Sequence, residues 1–410
     1  MDRFRFPRCP HGPALRVAAL LCAAALRAVH AAPAPGCAHA LAAAPAGGSP
    51  GFDWSALPAA PADARGPYRI AVWGDSLTAA PVFIDAALRA AGIDAARVQP
   101  GFIQAGLGVP GLALPVRLAC ASAGWHTAYA FKDNGTAPAY SEGLLSMTSS
   151  GPGDAVFLDL RPAHAGARAR ALDILYDKAA AGASLLLGVS VDGRAERLVP
   201  LSASDARVLR IAPDAPLATL RIRIVSGRMR LHGFRPHYDD TARIVLDTMS
   251  VPGGQLRAWS QVDPARSTGT PDYDLILLQY GTNEGAAPAF DATRYAAYLR
   301  THLARLRALH PAARCILIGP PDRGTTGAGD PLKYAAIHRG IALAQQRVGA
   351  QYRCGFWDWQ GETGGPGTAV RWARAQPPLT QPDLTHMTAR GYEASGRLFA
   401  RFHPFSLPSH

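Results

Sequence analysis

The chain has 410 residues, 42 Lys and Arg against 30 Asp and Glu, and a formal net charge of +12, which is room for two domains. Only three of the cations are lysine and the arginines are scattered, with no basic block interleaved with aromatics, which argues against nucleic acid as a partner. Four of its six cysteines lie beyond the first 31 residues and none forms Cys-x-x-Cys, so neither a zinc site nor a redox motif is expected.

Taken from the N-terminus, Arg3, Arg5, Arg8 and Arg16 come before an apolar run over 17–26 and then Ala28-Val29-His30-Ala31. Basic, apolar and small in that order predicts a secretory leader over 1–31, cleaved after Ala31. The apolar run is too short to span a bilayer and no second candidate follows, so no transmembrane segment is expected. The protein is expected in the periplasm or outside the cell. Loss of five Arg and one Asp would leave 379 residues at +8, a charge suited to an anionic surface such as cell wall or lipid head groups. Residues 32–66, rich in Ala, Pro and Gly without a period, read as a leader segment or linker. Cys37 after Pro35-Gly36 raises a lipid-anchor alternative, on a poor lipobox.

Arg69-Ile70-Ala71-Val72-Trp73 is an apolar run that stops at Gly74-Asp75-Ser76-Leu77 and resumes as a helix-like segment over 81–90. Strand, tight turn and helix put Ser76 at a strand's carboxyl end beside a helix N-terminus, where backbone donors can hold developing negative charge. Asp or Ser before a helix is commonly only a cap, so this turn alone decides nothing. A short run over 98–103 reads as a second strand.

From about 108 to 242 the pattern changes to short alternating segments with little helix signal, clearest at 155–160, 171–176, 184–191 and 219–225. In the last, Leu220, Ile222 and Ile224 alternate with Arg221 and Arg223, a period of two with one buried face. Asp192-Gly193 between two such runs is a hairpin signal. Together they predict an inserted β-sandwich, an architecture common among carbohydrate-binding modules.

From 243 to 404 an α/β rhythm returns. Strands are expected at 243–250, 274–280, 314–319 and 354–359, and helices at 334–348 and 389–402. Between the second and third strands, Tyr295, Tyr298, Leu299, His302, Leu303, Leu306 and Leu309 mark one helix face. Strands alternating with helices predict an α/β fold, a doubly wound parallel sheet whose two parts, 67–107 and 243–404, flank the insertion. Ser76 and Gly253 stand 177 positions apart, where a strand-helix-strand unit needs only about 30. Cys315 and Cys354 open consecutive strands of this part, so they are expected to pair across neighbouring parallel strands in an oxidising compartment.

Three strand ends carry small or polar turns: Gly74-Asp75-Ser76, Pro252-Gly253-Gly254 and Gly281-Thr282-Asn283. A fourth element, Asp383-Leu384-Thr385-His386, precedes the last amphipathic helix. Acyl transfer needs a nucleophile, a base, a group that orients the base, and donors for an oxyanion. Ser76, His386 and Asp383 supply the first three, and the N–H groups of Ser76 and Gly253 with the Asn283 amide supply the last. Gly254 competes with Gly253 for the donor role. Singly, Asp383 could be a helix cap, Asn283 a turn residue and His386 a surface histidine.

Taken in order, these blocks resemble the SGNH or GDSL hydrolases, whose four blocks carry Ser, Gly, Asn and His. The resemblance implies a three-layer doubly wound fold, esterase, lipase or carbohydrate deacetylase activity, and no metal or other cofactor. A narrower resemblance, carried by Val189-Ser190-Val191-Asp192-Gly193, Leu231-His232-Gly233-Phe234 and the approach from Asp247 to Gly254, is to bacterial peptidoglycan O-acetylesterases with an inserted module similar to family 35 carbohydrate-binding modules. It implies an O-acetylated glycan as partner and removal of acetyl groups from the C6 hydroxyl of N-acetylmuramic acid. The alternatives are a broader carbohydrate acetylesterase or lipase, and a silent hydrolase fold that only binds glycan. Two further features are open: His232, His237, Asp239 and Asp240 as a metal cluster against solvated loop residues, and Trp357 and Trp359 as sugar-stacking rings against strand core.

Overall fold

The computed structural model describes residues 37, 67–161, 168–177, 184–202, 207–238, 244–267, 269, 272–286, 290–326, 330 and 332–405. The expected leader, residues 32–66 apart from Cys37, and Asp239, Asp240 and Arg243 lie outside them.

The chain opens with β1 (Tyr68–Gly74), α1 (Val82–Ala90) and β2 (Val98–Gln99). It then passes through eleven strands: β3 (Ile103–Gln104), β4 (Leu118–Ala121), β5 (Trp125–Tyr129), β6 (Leu145–Ser149), β7 (Ala155–Asp159), β8 (Ala169–Tyr176), β9 (Leu185–Val191), β10 (Arg197–Leu201), β11 (Val208–Ile211), β12 (Thr219–Ser226) and β13 (Arg230–Tyr238). β14 (Ile244–Thr248), β15 (Leu275–Gln279), α2 (Ala292–Leu309), β16 (Arg314–Ile318), α3 (Lys333–Gln351) and β17 (Cys354–Trp357) restore the alternation, and α4 (Trp359–Glu362), α5 (Thr368–Arg374) and α6 (Ala389–Ala400) end the chain.

A six-stranded parallel sheet runs in the order β17-β16-β15-β1-β14-β2. Its strands are apolar on both faces because both faces are covered. Ala71, Trp73, Ile276 and Leu278 join a core with Leu299, Leu303 and Leu306 of α2 and Ile341 and Val348 of α3. Ile70, Val72, Leu275 and Leu277 join one with Phe83 and Ile84 of α1 and Phe399 of α6. The layers are therefore helix, sheet and helix, as predicted. Strand order reverses at β1, which has β14 on one side and β15 on the other. Such a reversal opens a crevice at the strands' carboxyl ends, and Ser76 lies there.

The insertion is two antiparallel sheets, β10-β9-β12-β7-β4 and β11-β8-β13-β6-β5, with β3 also paired to β13. Leu220, Ile222 and Ile224 are buried between them, while Arg221, itself buried, and half-buried Arg223 pair with Glu196 on the other face. Asp192 and Gly193 both take positive φ, 52° and 70°, as a type I′ hairpin turn requires. The run expected as one strand over 98–103 is divided between sheets. Gln99 pairs in the parallel sheet and Ile103 in the sandwich, so the chain crosses from one to the other within four residues.

Cys315 and Cys354 sit opposite each other in the β16–β17 register and form a disulfide, as expected from consecutive strands. Cys37 is bonded to Cys120 of β4, which removes the thiol that a lipid anchor would need. Trp357 and Trp359 are 2% and 0% exposed and pack on Phe83 and Phe399. Their rings are core, so sugar stacking on them is excluded.

Candidate active site

Four turns meet at the carboxyl edge of the parallel sheet, and each is held by a specific contact. At the end of β1, Gly74 is a close-approach position: a Cβ there would lie 2.3 Å from Thr78 Oγ1 and 2.7 Å from the Gln279 carbonyl. Asp75 turns inward, fully buried, and its Oδ1 accepts from the Leu77 N–H at 2.9 Å. The side-chain amide of Gln279, at the end of β15, donates to Asp75 Oδ2 at 3.3 Å. With Asp75 turned in, Ser76 faces out and is half-buried.

Beyond β14, the Val251 N–H donates to the Gly74 carbonyl at 2.9 Å, which lays the second turn beside the first. The Gly254 N–H donates to the Val251 carbonyl at 2.7 Å, and a Cβ on Gly254 would collide with that carbonyl and with that of Gly74. Gly254 is therefore committed to the turn. Gly253, at φ 77°, is the outer residue, with the Phe131 ring edge as its neighbour.

The third turn is locked to the second by adjacent side chains. Asn283 Nδ2 donates to the Gly254 carbonyl at 2.9 Å and keeps a second amide hydrogen. Half-buried Glu284 accepts from the N–H groups of Gly281, at 3.0 Å, and Leu256, at 2.9 Å, and from the Tyr298 hydroxyl at 3.2 Å. Burial raises the Glu284 carboxyl above its usual range, against the lowering effect of those N–H groups. Burial likewise pushes Asp75 up to about 7, opposed by the Leu77 N–H and reinforced by the nearby Glu284 charge.

The fourth turn brings the base. Ser76 Oγ lies 2.9 Å from His386 Nε2, and His386 Nδ1 lies 2.6 Å from Asp383 Oδ2. Asp383 Oδ1 also accepts from the N–H groups of Thr385 and His386, both at 3.0 Å, so one carboxylate fixes the imidazole and the backbone that carries it. Partial burial would raise the Asp383 carboxyl, but the hydrogen bonds from the imidazole and the two N–H groups hold it below the usual value. The Gly324 N–H anchors the turn from β16 by donating to the Leu384 carbonyl at 2.9 Å.

Every residue singled out in the four blocks thus stands at one rim. Hydroxyl, imidazole and carboxylate form a continuous relay, with the Gly253 turn and the Asn283 amide beside it. Such an arrangement can deprotonate a serine and stabilise an oxyanion. Sequence reasoning missed Gln279 and Glu284, the polar groups that brace the turns; the sole signal was Glu284 following Gly281-Thr282-Asn283 directly. It also missed Phe131, which comes from the inserted segment and carries no local motif.

Of the candidate metal cluster, Asp239 and Asp240 lie outside the described residues, and the two histidines face other partners. His237 Nε2 bonds Asp173 at 2.8 Å, His232 lies 3.1 Å from Asp177, and no group of metal-ligating side chains forms among the described residues. Each histidine has its own aspartate.

Residues 235–394 match the model of the GDSL-like lipase/acylhydrolase family, a span that holds the last three turns and starts beyond Ser76. No curated protein matches the chain in sequence. Among solved structures, the chain is similar to a peptidoglycan O-acetylesterase at TM-score 0.62 and 20% identity, over 82% of this chain and 91% of that one. A lipase/acylhydrolase from Enterococcus faecalis aligns over 39% of this chain and 75% of that one, at 18% identity and TM-score 0.30. The match over residues 235–394 and the likeness of fold support a carboxylic ester hydrolase with an SGNH-type fold. With the sandwich included, the overall fold is similar to that of the peptidoglycan O-acetylesterase.

Proposed function

We propose that the protein is a serine esterase that removes O-acetyl groups from cell-wall glycan, with Ser76, His386 and Asp383 as its triad. The observation that carries this reading is the unbroken relay, 2.9 Å from Ser76 Oγ to His386 and 2.6 Å from His386 to Asp383. Ser76 Oγ attacks the acetyl carbonyl as His386 Nε2 takes its proton, and Asp383 stabilises the imidazolium. The N–H groups of Ser76 and Gly253 and the free amide hydrogen of Asn283 receive the oxyanion. His386 then protonates the departing sugar oxygen, leaving acetyl-Ser76, which water attacks with His386 again as base. Asp75 is too deeply buried to meet substrate, and the contacts of Asp75 and Glu284 give both the task of holding the turns.

The acceptor is proposed from the likeness of fold, sandwich included, to a peptidoglycan O-acetylesterase, and from the positive charge, which suits an anionic cell wall. A secreted or periplasmic location follows from the leader pattern; among the described residues no helix is long and apolar enough to cross a membrane. The test is acetate release from O-acetylated peptidoglycan, acetylated xylan and longer acyl esters, with Ser76→Ala as control. Preference for peptidoglycan, lost in Ser76→Ala, supports the proposal. Preference for xylan or longer acyl chains favours a broader esterase, and sacculus binding without acetate release favours a glycan-binding protein.

A further inference from the structure

The segment after β5 crosses from the sandwich to the rim of the site. Phe131 sets its ring against Gly253, 3.3 Å from where a Cβ would stand. Tyr129 meets Phe131 edge-on at 5.8 Å between centroids. Lys132 Nζ lies over the Tyr129 ring, 4.3 Å from its centroid, and 5.6 Å from that of Phe131. Buried Phe131 is the wedge, while Tyr129 is half-exposed and Lys132 exposed.

This placement is fixed from several sides. The turn Leu256–Gln261, which follows Gly253 and Gly254, receives the segment through Arg257 to Asn134 at 3.2 Å and Gln261 Nε2 to the Gly135 carbonyl at 2.9 Å. Asp133, the acid next to Lys132, is occupied by the Gly135 N–H and the Tyr140 hydroxyl. No carboxylate makes an ion pair with Lys132 among the described residues. An ammonium held on an aromatic face, on the residue next to the one whose ring packs on a proposed oxyanion donor, and with no acidic partner among the described residues, is arranged to receive an anion from outside.

We propose that Lys132, seated on Tyr129, is the anion anchor of the acceptor subsite, and that the sugar it takes carries a carboxylate. The proposal rests on the esterase reading for the place of Gly253 and deepens it. The inserted sandwich supplies part of the active site and selects acidic over neutral glycan. Muramic acid whose lactyl carboxylate is free of a stem peptide has this chemistry; xylan without uronic acid does not.

The experiment measures binding by titration calorimetry to Ser76→Ala protein, which holds substrate without turning it over. The probes are a disaccharide containing N-acetylmuramic acid and the methyl ester of the same disaccharide, which differ by the negative charge and one methyl group. At low salt the acid is expected to bind about fivefold to tenfold more tightly than the ester, a ratio in keeping with one partly desolvated ion pair. Lys132→Gln brings the ratio to one, Lys132→Arg keeps it, Tyr129→Phe keeps the seat, and Tyr129→Ala weakens discrimination. Equal affinity for acid and ester, a preference that survives Lys132→Gln, or no binding of either probe overturns the proposal. The esterase reading stands or falls separately, on acetate release by the wild-type protein.

Discussion

The indole N–H of Trp73 donates to the backbone carbonyl of Glu142 at 2.8 Å, joining the strand that delivers Ser76 to the inserted segment. The Glu142 side chain goes further into the hydrolase layer, 3.0 Å from His310 Nε2 just beyond α2, with both groups buried. The sandwich is therefore built into the support of the nucleophile strand. Glu142→Ala leaves the His310 ring without its partner and is expected to cost about 2–4 kcal/mol. Urea denaturation checks this, and a loss below about 1 kcal/mol would show that the contact carries no load of that kind.

Asp383 is 48% exposed, so water screens its charge more than in a buried triad. Asp383→Asn keeps an oxygen for the backbone N–H groups, and it is expected to lower kcat about 100-fold, less than the roughly 10⁴-fold loss for a buried orienting carboxylate. Because the folded Asp383 value lies below the usual 3.8, its contribution to stability is complete above that pH and fades as pH falls through the lower folded value. Steady-state kinetics on an acetyl ester, wild type against Asp383→Asn, decide the first point.

Asn283→Ala removes a proposed oxyanion donor and the bond to the Gly254 carbonyl. The expected loss in kcat is about 10²–10³-fold, with KM nearly unchanged, since the oxyanion exists only in the transition state. Loss confined to KM would place the amide in ground-state binding instead.

Asp75 carries a pH signature with a definite sign. Its folded value of about 7 lies above the ordinary 3.8, so its contribution is fully present below 3.8 and is lost as pH rises through 7. Glu284, whose carboxyl desolvation also raises, acts in the same direction. Chemical denaturation at pH 5 and pH 8 should show wild type losing stability relative to Asp75→Asn as pH increases. A constant difference between the two proteins would mean that the carboxyl titrates normally.

The Cys315–Cys354 bridge closes a loop with a sequence separation of 39 residues. Replacing both by serine is expected to cost about 3–4 kcal/mol on the chain-entropy account. Non-reducing peptide mapping should recover both this pair and Cys37–Cys120.

Much of the architecture was legible where local chemistry has one solution. Asp192-Gly193 announced a hairpin because few other dipeptides take positive φ at both positions. Leu220, Ile222 and Ile224 announced a one-sided strand because only the pleat has a period of two. The division of 98–103 between two sheets was not legible, since two-residue strands carry too little pattern to choose a partner. Trp357 and Trp359 were ambiguous because an aromatic ring serves a core or a sugar equally well until its neighbours are known.

For the site, sequence alone settled which residue types stand at strand ends and in what order. That is local information: an apolar run ends, a small or polar turn follows, and the side chain there is presented at the sheet's edge. Tertiary structure alone decided that the Gly254 N–H is committed to the Val251 carbonyl while Gly253 faces outward, that Glu284 and Gln279 brace the turns, and that Phe131, with Tyr129 and Lys132 packed on it, stands beside Gly253. Those facts depend on contacts between segments far apart in the chain. Short-range propensity carries no record of such distances, because burial and close packing fix them only after the sheet has closed.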